Sequence, residues 1–194
     1  MNIDRIKGRL DFLREAERLK DVLRSAHTSS GRAESTAEHS WRLCLMAITF
    51  ADELAGLDLL RVLKMCVVHD LGEAIHGDIP AIEQGGHPDK GAQEREDLLT
   101  LTRTLDAELR DEILALWDDY ENAASPEALA VKALDKLETL LQHTQGANPA
   151  DFDYAFNLGY GRRYTSGEPL FAAIREQLDE DTKRRMEARA SAAR

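Results

Sequence analysis

The chain has 194 residues, of which 43% are apolar and 31% are charged. The length favours one compact domain, and the apolar share excludes a disordered chain because enough side chains are present to form a core. With 25 Lys and Arg against 36 Asp and Glu, the formal net charge is −11, which argues against DNA or RNA as partners. The charge still permits one small phosphate ligand held by a few local cations.

The sequence contains neither a membrane span nor a secretion signal. No apolar run approaches the ~20 residues that cross a bilayer, and the first ten residues are charged and periodic. Cys44 and Cys66 each lie in an apolar helical pattern without metal-binding spacing, so we expect reduced thiols. We therefore expect a cytoplasmic protein without membrane contact.

Apolar side chains recur every three or four residues through most of the chain, which predicts helices. The first begins with a stripe of Ile3, Ile6, Leu10 and Leu13. A capping box of Ser35 and Glu38 marks the start of the second helix. The predicted helices lie at about 3–26, 35–54, 58–76, 90–103, 106–121, 125–145 and 168–190. No strand-length alternation is present, so the prediction is an all-α, single-domain bundle of about seven helices.

Two segments lack this periodicity. Residues 80–92 are predicted to form a loop, because they contain glycines, prolines and acidic residues without a periodic apolar face. Residues 146–168 are irregular but rich in aromatic side chains, so we expect them to pack across the bundle.

Four polar residues lie on otherwise apolar helix faces: His39, His69, Asp70 and Asp135. Burying an unpaired carboxylate costs several kcal/mol, so such a residue is paired, protonated or bound to a metal. A divalent metal would explain all four together, and imidazole with carboxylate suits Mn, Fe, Co, Ni or Zn.

Each of these residues also has an ordinary interpretation when it is considered alone. A buried histidine is usually hydrogen-bonded to a backbone carbonyl. Asp135 is close in sequence to Lys132 and Lys136, either of which could pair with it. The His69-Asp70 dipeptide also arises by chance. The combination of all four positions favours the metal.

The order H…HD…D on a helical core resembles the signature of the HD-domain metal phosphohydrolase superfamily. The segments AEHSWR at 37–42, HDLGEAIHGDIP at 69–80 and KALDKLE at 132–138 are similar to its branch of 5′-deoxynucleotidases. The resemblance extends over about residues 10–145. It implies an HD-type domain over 1–194, a homodimer, and one divalent metal (Mn, Co, Fe, Ni or Zn) with Mg at a second site left open. The metal ligands it implies are His39, His69, Asp70 and Asp135.

The same resemblance places the family's catalytic acidic pair at Glu73 and Asp78. Glu73 lies one helical turn beyond His69 and Asp70, and Asp78 follows Gly77 where the chain leaves the helix. Phosphomonoester hydrolysis needs one group to orient or deprotonate water and another to protonate the leaving sugar oxygen. The sequence leaves open which residue has which role.

Phosphate binding also requires cations, and Arg24, Arg32, Lys90 and Arg95 are the candidates near these motifs. In the 5′-deoxynucleotidase branch, an Arg-Thr-Gly-Trp-like segment contacts the nucleotide. The matching residues here are Arg24-Ser25-Ala26-His27, so Arg24 and His27 are predicted substrate-binding residues together with Lys90. Histidine replaces the tryptophan associated with deoxyribose selection, which leaves the sugar preference open.

The prediction is therefore a hydrolase that converts nucleoside 5′-monophosphates, deoxy forms above all, to nucleoside and phosphate. One alternative is an HD-type phosphodiesterase or a nucleoside polyphosphate hydrolase, which would need more cations. An alternative of another class is a non-catalytic module that senses a nucleotide or a metal. The presence of both Glu73 and Asp78 argues against this last alternative, because a sensor needs neither residue.

Overall fold

The structure is a computed structural model that describes residues 2–192. Within these residues it contains ten α-helices, two short 3-10 turns and one two-stranded sheet. The helices are α1 (Ile3–Ala16), α2 (Thr36–Thr49), α3 (Leu59–Val68), α4 (Glu73–His76), α5 (Lys90–Leu101), α6 (Ala107–Asn122), α7 (Pro126–Gln145), α8 (Tyr154–Gly159), α9 (Arg162–Thr165) and α10 (Pro169–Ala192). The strands are β1 (Leu23–His27) and β2 (Ala33–Ser35), and the 3-10 turns are Glu17–Lys20 and Gln84–Gly86.

The predicted all-α class is confirmed. The seven helices of ten residues or more (α1, α2, α3, α5, α6, α7 and α10) fall where the apolar periodicity predicted a helix. Two of these helices begin at predicted caps. The Ser35 and Glu38 side chains form the capping box of α2, and the Ser125 hydroxyl accepts from the Ala128 N–H in α7.

The predicted helix over 3–26 is wrong after Ala16. A 3-10 turn follows, and then β1 pairs antiparallel with β2, with Leu23 opposite Ser35 and His27 opposite Ala33. Gly31 at φ +85° reverses the chain between the two strands. The hairpin therefore forms from pairing across a turn, which helical periodicity does not detect.

The apolar stripe of α1 also differs from its predicted role. Ile3, Ile6, Leu10 and Leu13 are 37–62% exposed and do not face the core. The opposite face packs inward instead: Gly8 lies so close to the Thr104 carbonyl that a Cβ atom would clash, and Arg5 and Arg9 pair with Asp106. The first helix thus lies on the outside of the bundle with its apolar stripe exposed.

The predicted helix over 58–76 is broken in the middle. α3 ends at Val68, and a tight turn leads into the four residues of α4. Gly72 in this turn touches the backbone of α5, since a Cβ there would lie 2.6 Å from the Glu94 carbonyl oxygen. The close approach of α5 therefore requires glycine at this break.

α7 is the central helix of the bundle. It packs against α2, α3, α6, α9 and α10, and 14 of its 20 residues are buried. A helix buried on all sides must pair its polar groups within the protein. α7 contributes Lys132, Asp135 and Glu138 to the interior, so its polar residues are held among neighbouring helices.

The aromatic-rich segment contains α8 and α9, which pack against α10 and α7. Among the described residues, no helix combines the length and the hydropathy needed to cross a membrane.

Candidate active site

His39 lies in the first turn of α2, and its side chain is fully buried. Its Nδ1 contacts the Glu138 carboxylate on α7. Because a carboxylate only accepts, Nδ1–H is the donor of this hydrogen bond. The Nε2 atom is then left to face the space between α2, α3 and α7.

His69 follows α3 directly and is oriented in the same way by a different group. Its Nδ1 lies 2.9 Å from the Cys66 carbonyl oxygen, which fixes Nδ1–H as the donor. The rings of His39 and His69 have centroids 5.4 Å apart. Two imidazoles from different helices thus present their Nε2 atoms to one point.

Asp70 and Asp135 approach the same point. Asp70 Oδ2 lies 3.0 Å from His69 Nε2 and 3.7 Å from His39 Nε2. Asp135 Oδ1 lies 3.2 Å from His39 Nε2, while its Oδ2 accepts from Tyr120 Oη at 2.7 Å. The structure therefore brings together all four residues that the sequence predicted as ligands.

Three atoms at this point are buried without a hydrogen bond of ordinary geometry to any described residue: His39 Nε2, His69 Nε2 and Asp70 Oδ2. Ligand atoms of these three residues lie within 4.8 Å of one another. Buried polar atoms normally have a hydrogen-bond partner. Three such atoms that meet at one point without a partner of this kind indicate an ion-binding site. Two imidazole nitrogens with carboxylate oxygens suit a divalent first-row metal.

The charges around this cluster shift the pKa values of its members. Burial and the charge of Arg24 lower the pKa of His39, but Glu138 and Asp135 outweigh them and raise it to about 10. Burial opposes the ionisation of Asp70, yet His69 and His39 hold its pKa well below the usual value. A metal that binds His39 must therefore displace a proton, so binding is coupled to pH.

Glu138 and Glu34 are buried acids beside the cluster that sequence reasoning did not single out. Glu138 accepts from His39 Nδ1 and from Arg42 Nε at 2.6 Å, whereas Glu34 Oε2 lies 3.7 Å from Arg24 Nε. Burial and the nearby Glu138 raise the pKa of Glu34 to about 7. One signal could have revealed Glu138, because it lies on the buried face of α7 three residues after Asp135.

Glu73 and Asp78 both line the cavity that opens beside the cluster. Thr36 Oγ1 donates to Glu73 Oε2 at 3.3 Å, and Lys90 Nζ lies 3.5 Å from Glu73 Oε1. Burial, and then the charges of Asp70 and Asp78, raise the pKa of Glu73 to about 9. Asp78 is half-buried and follows Gly77, whose φ of +88° turns the chain out of α4.

The cavity has a volume of about 800 Å³ and its walls carry many cations. They are Arg24, Lys90, Lys132, Lys136, Arg162 and Arg163. Among the described residues, seven carboxylates line the same cavity: Asp70, Glu73, Asp78, Glu94, Glu121, Asp135 and Asp153. The lining is therefore mixed in charge, and its individual cations offer local partners for a small anion beside the candidate metal ligands.

The predicted cations are distributed unevenly over the structure. Arg24 lies on β1, and its Nη1 is 3.6 Å from Asp70 Oδ2. His27 is not one of the described residues that line the cavity. Its Nδ1 lies 3.2 Å from the Ser25 carbonyl oxygen. Arg32 and Arg95 pair with surface acids, Glu38 and Asp118. The structure thus brings Arg24 and Lys90 to the cavity and leaves the other three outside its walls.

The sequence matches the family model described as HD domain over residues 16–175. It is similar to the 5′-deoxynucleotidase HDDC2 of Dictyostelium discoideum, with 31% identity over 90% of this chain and 98% of that protein. The Homo sapiens protein of the same name is 35% identical over 70% of this chain and 67% of its own length. For the Danio rerio protein the identity is 36% over 69% of this chain and 66% of its own length, just under two thirds.

Solved structures resemble this fold. A predicted metal-dependent phosphohydrolase from Magnetospirillum magnetotacticum MS-1 superimposes with a TM-score of 0.80 and 29% identity, covering 94% of this chain and 97% of that one. A conserved hypothetical protein from Pyrococcus furiosus gives a TM-score of 0.60 and 26% identity over 90% of this chain and 99% of that one.

Proposed function

This chain belongs to the HD domain family, and on that premise we propose that it is a metal-dependent phosphohydrolase acting on deoxynucleoside 5′-monophosphates. One observation carries the proposal: buried atoms of His39, His69 and Asp70 that have no hydrogen bond of ordinary geometry to any described residue converge at the wall of a cavity that Arg24 and Lys90 also line. The substrate class is supported by relatives that are named 5′-deoxynucleotidase. The products are the deoxynucleoside and phosphate.

In this proposal His39, His69, Asp70 and Asp135 hold one divalent metal, which is Mn, Co, Fe, Ni or Zn. When bound, the metal supplies a Lewis acid for the phosphate and makes the attacking water more acidic. Glu73 and Asp78 have an alternative use in place of proton transfer, since their carboxylate oxygens are ligands of the kind that a second ion such as Mg prefers.

The chain's own side chains supply the remaining requirements of hydrolysis. Arg24 and Lys90 bind the phosphate oxygens, because both cations reach the cavity beside Asp70 and Glu73. Glu73 and Asp78 divide two proton roles, one orienting or deprotonating the water and the other protonating the leaving sugar oxygen. Burial of Glu73 keeps its carboxyl away from bulk water, which suits a group that exchanges one proton with a substrate.

The test combines metal analysis with a phosphate-release screen over deoxynucleoside and ribonucleoside 5′-monophosphates. We expect the wild type to contain one metal per chain and to release phosphate from the deoxy forms. His69→Ala should lose both the metal and the activity. His76→Ala is the matched control, since that side chain is 63% exposed, is hydrogen-bonded to Asp97 and is not among the described residues that line the cavity. Unchanged turnover by the His69 variant would refute the proposal.

The size of the cavity favours a second candidate function, in which the substrate carries more than one phosphate group. A volume of about 800 Å³ lies in the upper part of the ~300–1,000 Å³ typical of small-molecule sites. Such a cleft has room for further phosphate groups, as an HD-type phosphodiesterase or a nucleoside polyphosphate hydrolase requires. Adding nucleoside triphosphates and cyclic dinucleotides to the same screen separates these activities from the nucleotidase.

We also propose that the protein forms a homodimer. Among the described residues, α2 exposes Trp41, Leu45 and Ile48, which lie on one side of the helix at helical spacing. An exposed apolar stripe of this kind is typical of a protein interface.

A further inference from the structure

Lys136 contacts the carboxylate oxygen of Asp135 that does not face His39. Its Nζ donates to Asp135 Oδ2 at 2.8 Å, while Asp135 Oδ1 is the atom that approaches His39 Nε2. A single carboxylate therefore separates this ammonium from the histidine cluster. The Lys136 side chain lines the cavity and is 22% exposed, so it is open on the cavity side.

The Lys136 ammonium has a donor to spare. It carries three N–H groups, of which Asp135 takes one. Tyr160, whose ring centroid lies 5.3 Å from Nζ, is a second partner through its hydroxyl, which still leaves one N–H group. A cation with a free donor thus faces the cavity.

The stem of Lys136 is held by the chain that packs over it. Gly161 has φ +69°, and a Cβ at that position would lie 2.6 Å from Lys136 Cβ. The close contact between the chain entering α9 and the stem of Lys136 therefore requires glycine. Because the stem is confined, the ammonium loses little further freedom when it binds a ligand.

Lys132, one turn earlier on α7, provides a comparison. Its Nζ pairs with Glu121 Oε2 at 3.3 Å and lies over the Tyr120 ring at 4.0 Å. Burial lowers its pKa. Both lysines border the same cavity, but Lys136 is the one whose carboxylate partner belongs to the histidine cluster.

We propose that Lys136 is a substrate-binding residue that donates a hydrogen bond to a phosphate oxygen of the nucleotide. The inference rests on the proposed function and deepens it, because it assigns a third cation to the phosphate besides Arg24 and Lys90. Lys136 reaches the phosphate from α7, whereas Arg24 comes from β1 and Lys90 from α5.

The test measures phosphate binding in the purified, metal-loaded full chain with Lys136→Gln. Glutamine keeps a hydrogen-bond donor for Asp135 but removes the charge. We expect an unchanged metal content. The inhibition constant of inorganic phosphate and the KM for deoxynucleoside monophosphates should both rise about 10- to 100-fold, the loss typical of one charge-assisted hydrogen bond. The kcat should change less, and Lys136→Arg should restore most of the phosphate affinity.

Lys132→Gln is the matched control, because it removes the same charge from the same cavity wall. An equal rise in the inhibition constant for both variants would show a general field effect and overturn the assignment. Unchanged phosphate binding in the Lys136 variant would also overturn the assignment. A loss of phosphate affinity that accompanies a loss of bound metal would do the same.

The proposed function and the role of Lys136 can be refuted independently of each other. If the wild type hydrolyses no deoxynucleoside monophosphate, inorganic phosphate binding to the metal-loaded protein, measured by calorimetry, still compares Lys136→Gln with Lys132→Gln. Active wild type with normal phosphate affinity in Lys136→Gln refutes only the role of Lys136.

Discussion

At the scale of single residues, the cost of burying charge explains what the sequence could predict. His39, His69, Asp70 and Asp135 were conspicuous because polar groups on apolar helix faces need partners. Glu138 was less conspicuous, although it fixes the orientation of His39. Its partner lies 99 positions away in sequence, and local spacing carries no signal for such a pair.

The hydrogen bond from His39 to Glu138 leads to a prediction about metal affinity. In Glu138→Gln the amide can donate to Nδ1 and so favour the wrong imidazole tautomer. We expect the affinity for a divalent metal such as Mn or Zn to fall about 10- to 100-fold, as is typical when a group that supports a metal ligand is altered. Competition with a chelator measures the change.

Glu112→Gln serves as the control for that experiment, because Glu112 pairs with Lys64 at the surface. It should retain the wild-type affinity. Equal affinities for all three proteins would show that Glu138 does not position His39.

At the scale of elements, helical periodicity predicted the long helices and missed the short pieces that shape the site. The residues of β1 continue the apolar spacing of α1, yet they pair with β2 and place Arg24 at the cavity. Similarly, α8 and α9 are short helices of four to six residues whose position depends on other parts of the chain. Isolated helices of this length are not stable, so propensity alone does not predict them.

Arg175 on α10 anchors α8 and the residue that follows it. Its guanidinium donates to the carbonyl oxygens of Asn157, Leu158 and Tyr160 and pairs with Asp179. The side chain is 3% exposed, so these carbonyls have little access to water as a substitute.

We therefore expect Arg175→Met to lower the free energy of unfolding by about 3 kcal/mol, because it leaves buried acceptors and Asp179 with fewer donors. Urea denaturation measures the change. Arg184→Met is the control, since that arginine pairs with Asp181 at the surface and should cost about 0.5 kcal/mol or less. Equal losses for the two variants would show that Arg175 is not the anchor.

At the scale of the whole molecule, the charge and the apolar surface point to different partners. The net charge of −11 coexists with a cavity whose lining, among the described residues, contains six cations beside seven acids. The molecule as a whole therefore repels polyanions, while single cations in the cleft remain available to a small anion. Within residues 2–192, apolar side chains are also exposed along one face of α1 and one face of α2. The sequence could not predict this, because the apolar stripe of α1 has the same spacing whether it faces the core or the solvent.

Of these two faces, α2 is the better candidate for the homodimer interface. Trp41 is 65% exposed, and tryptophan is enriched among residues that dominate binding energy. We expect light scattering to give twice the chain mass of 21.7 kDa for the wild type and a monomer for Trp41→Glu, because a charge in the centre of an apolar interface is not paired. Leu13→Glu alters the α1 face at a residue of similar exposure and should leave the dimer intact. A monomeric wild type would exclude the homodimer, and a dimer lost only in the Leu13 variant would move the interface to α1.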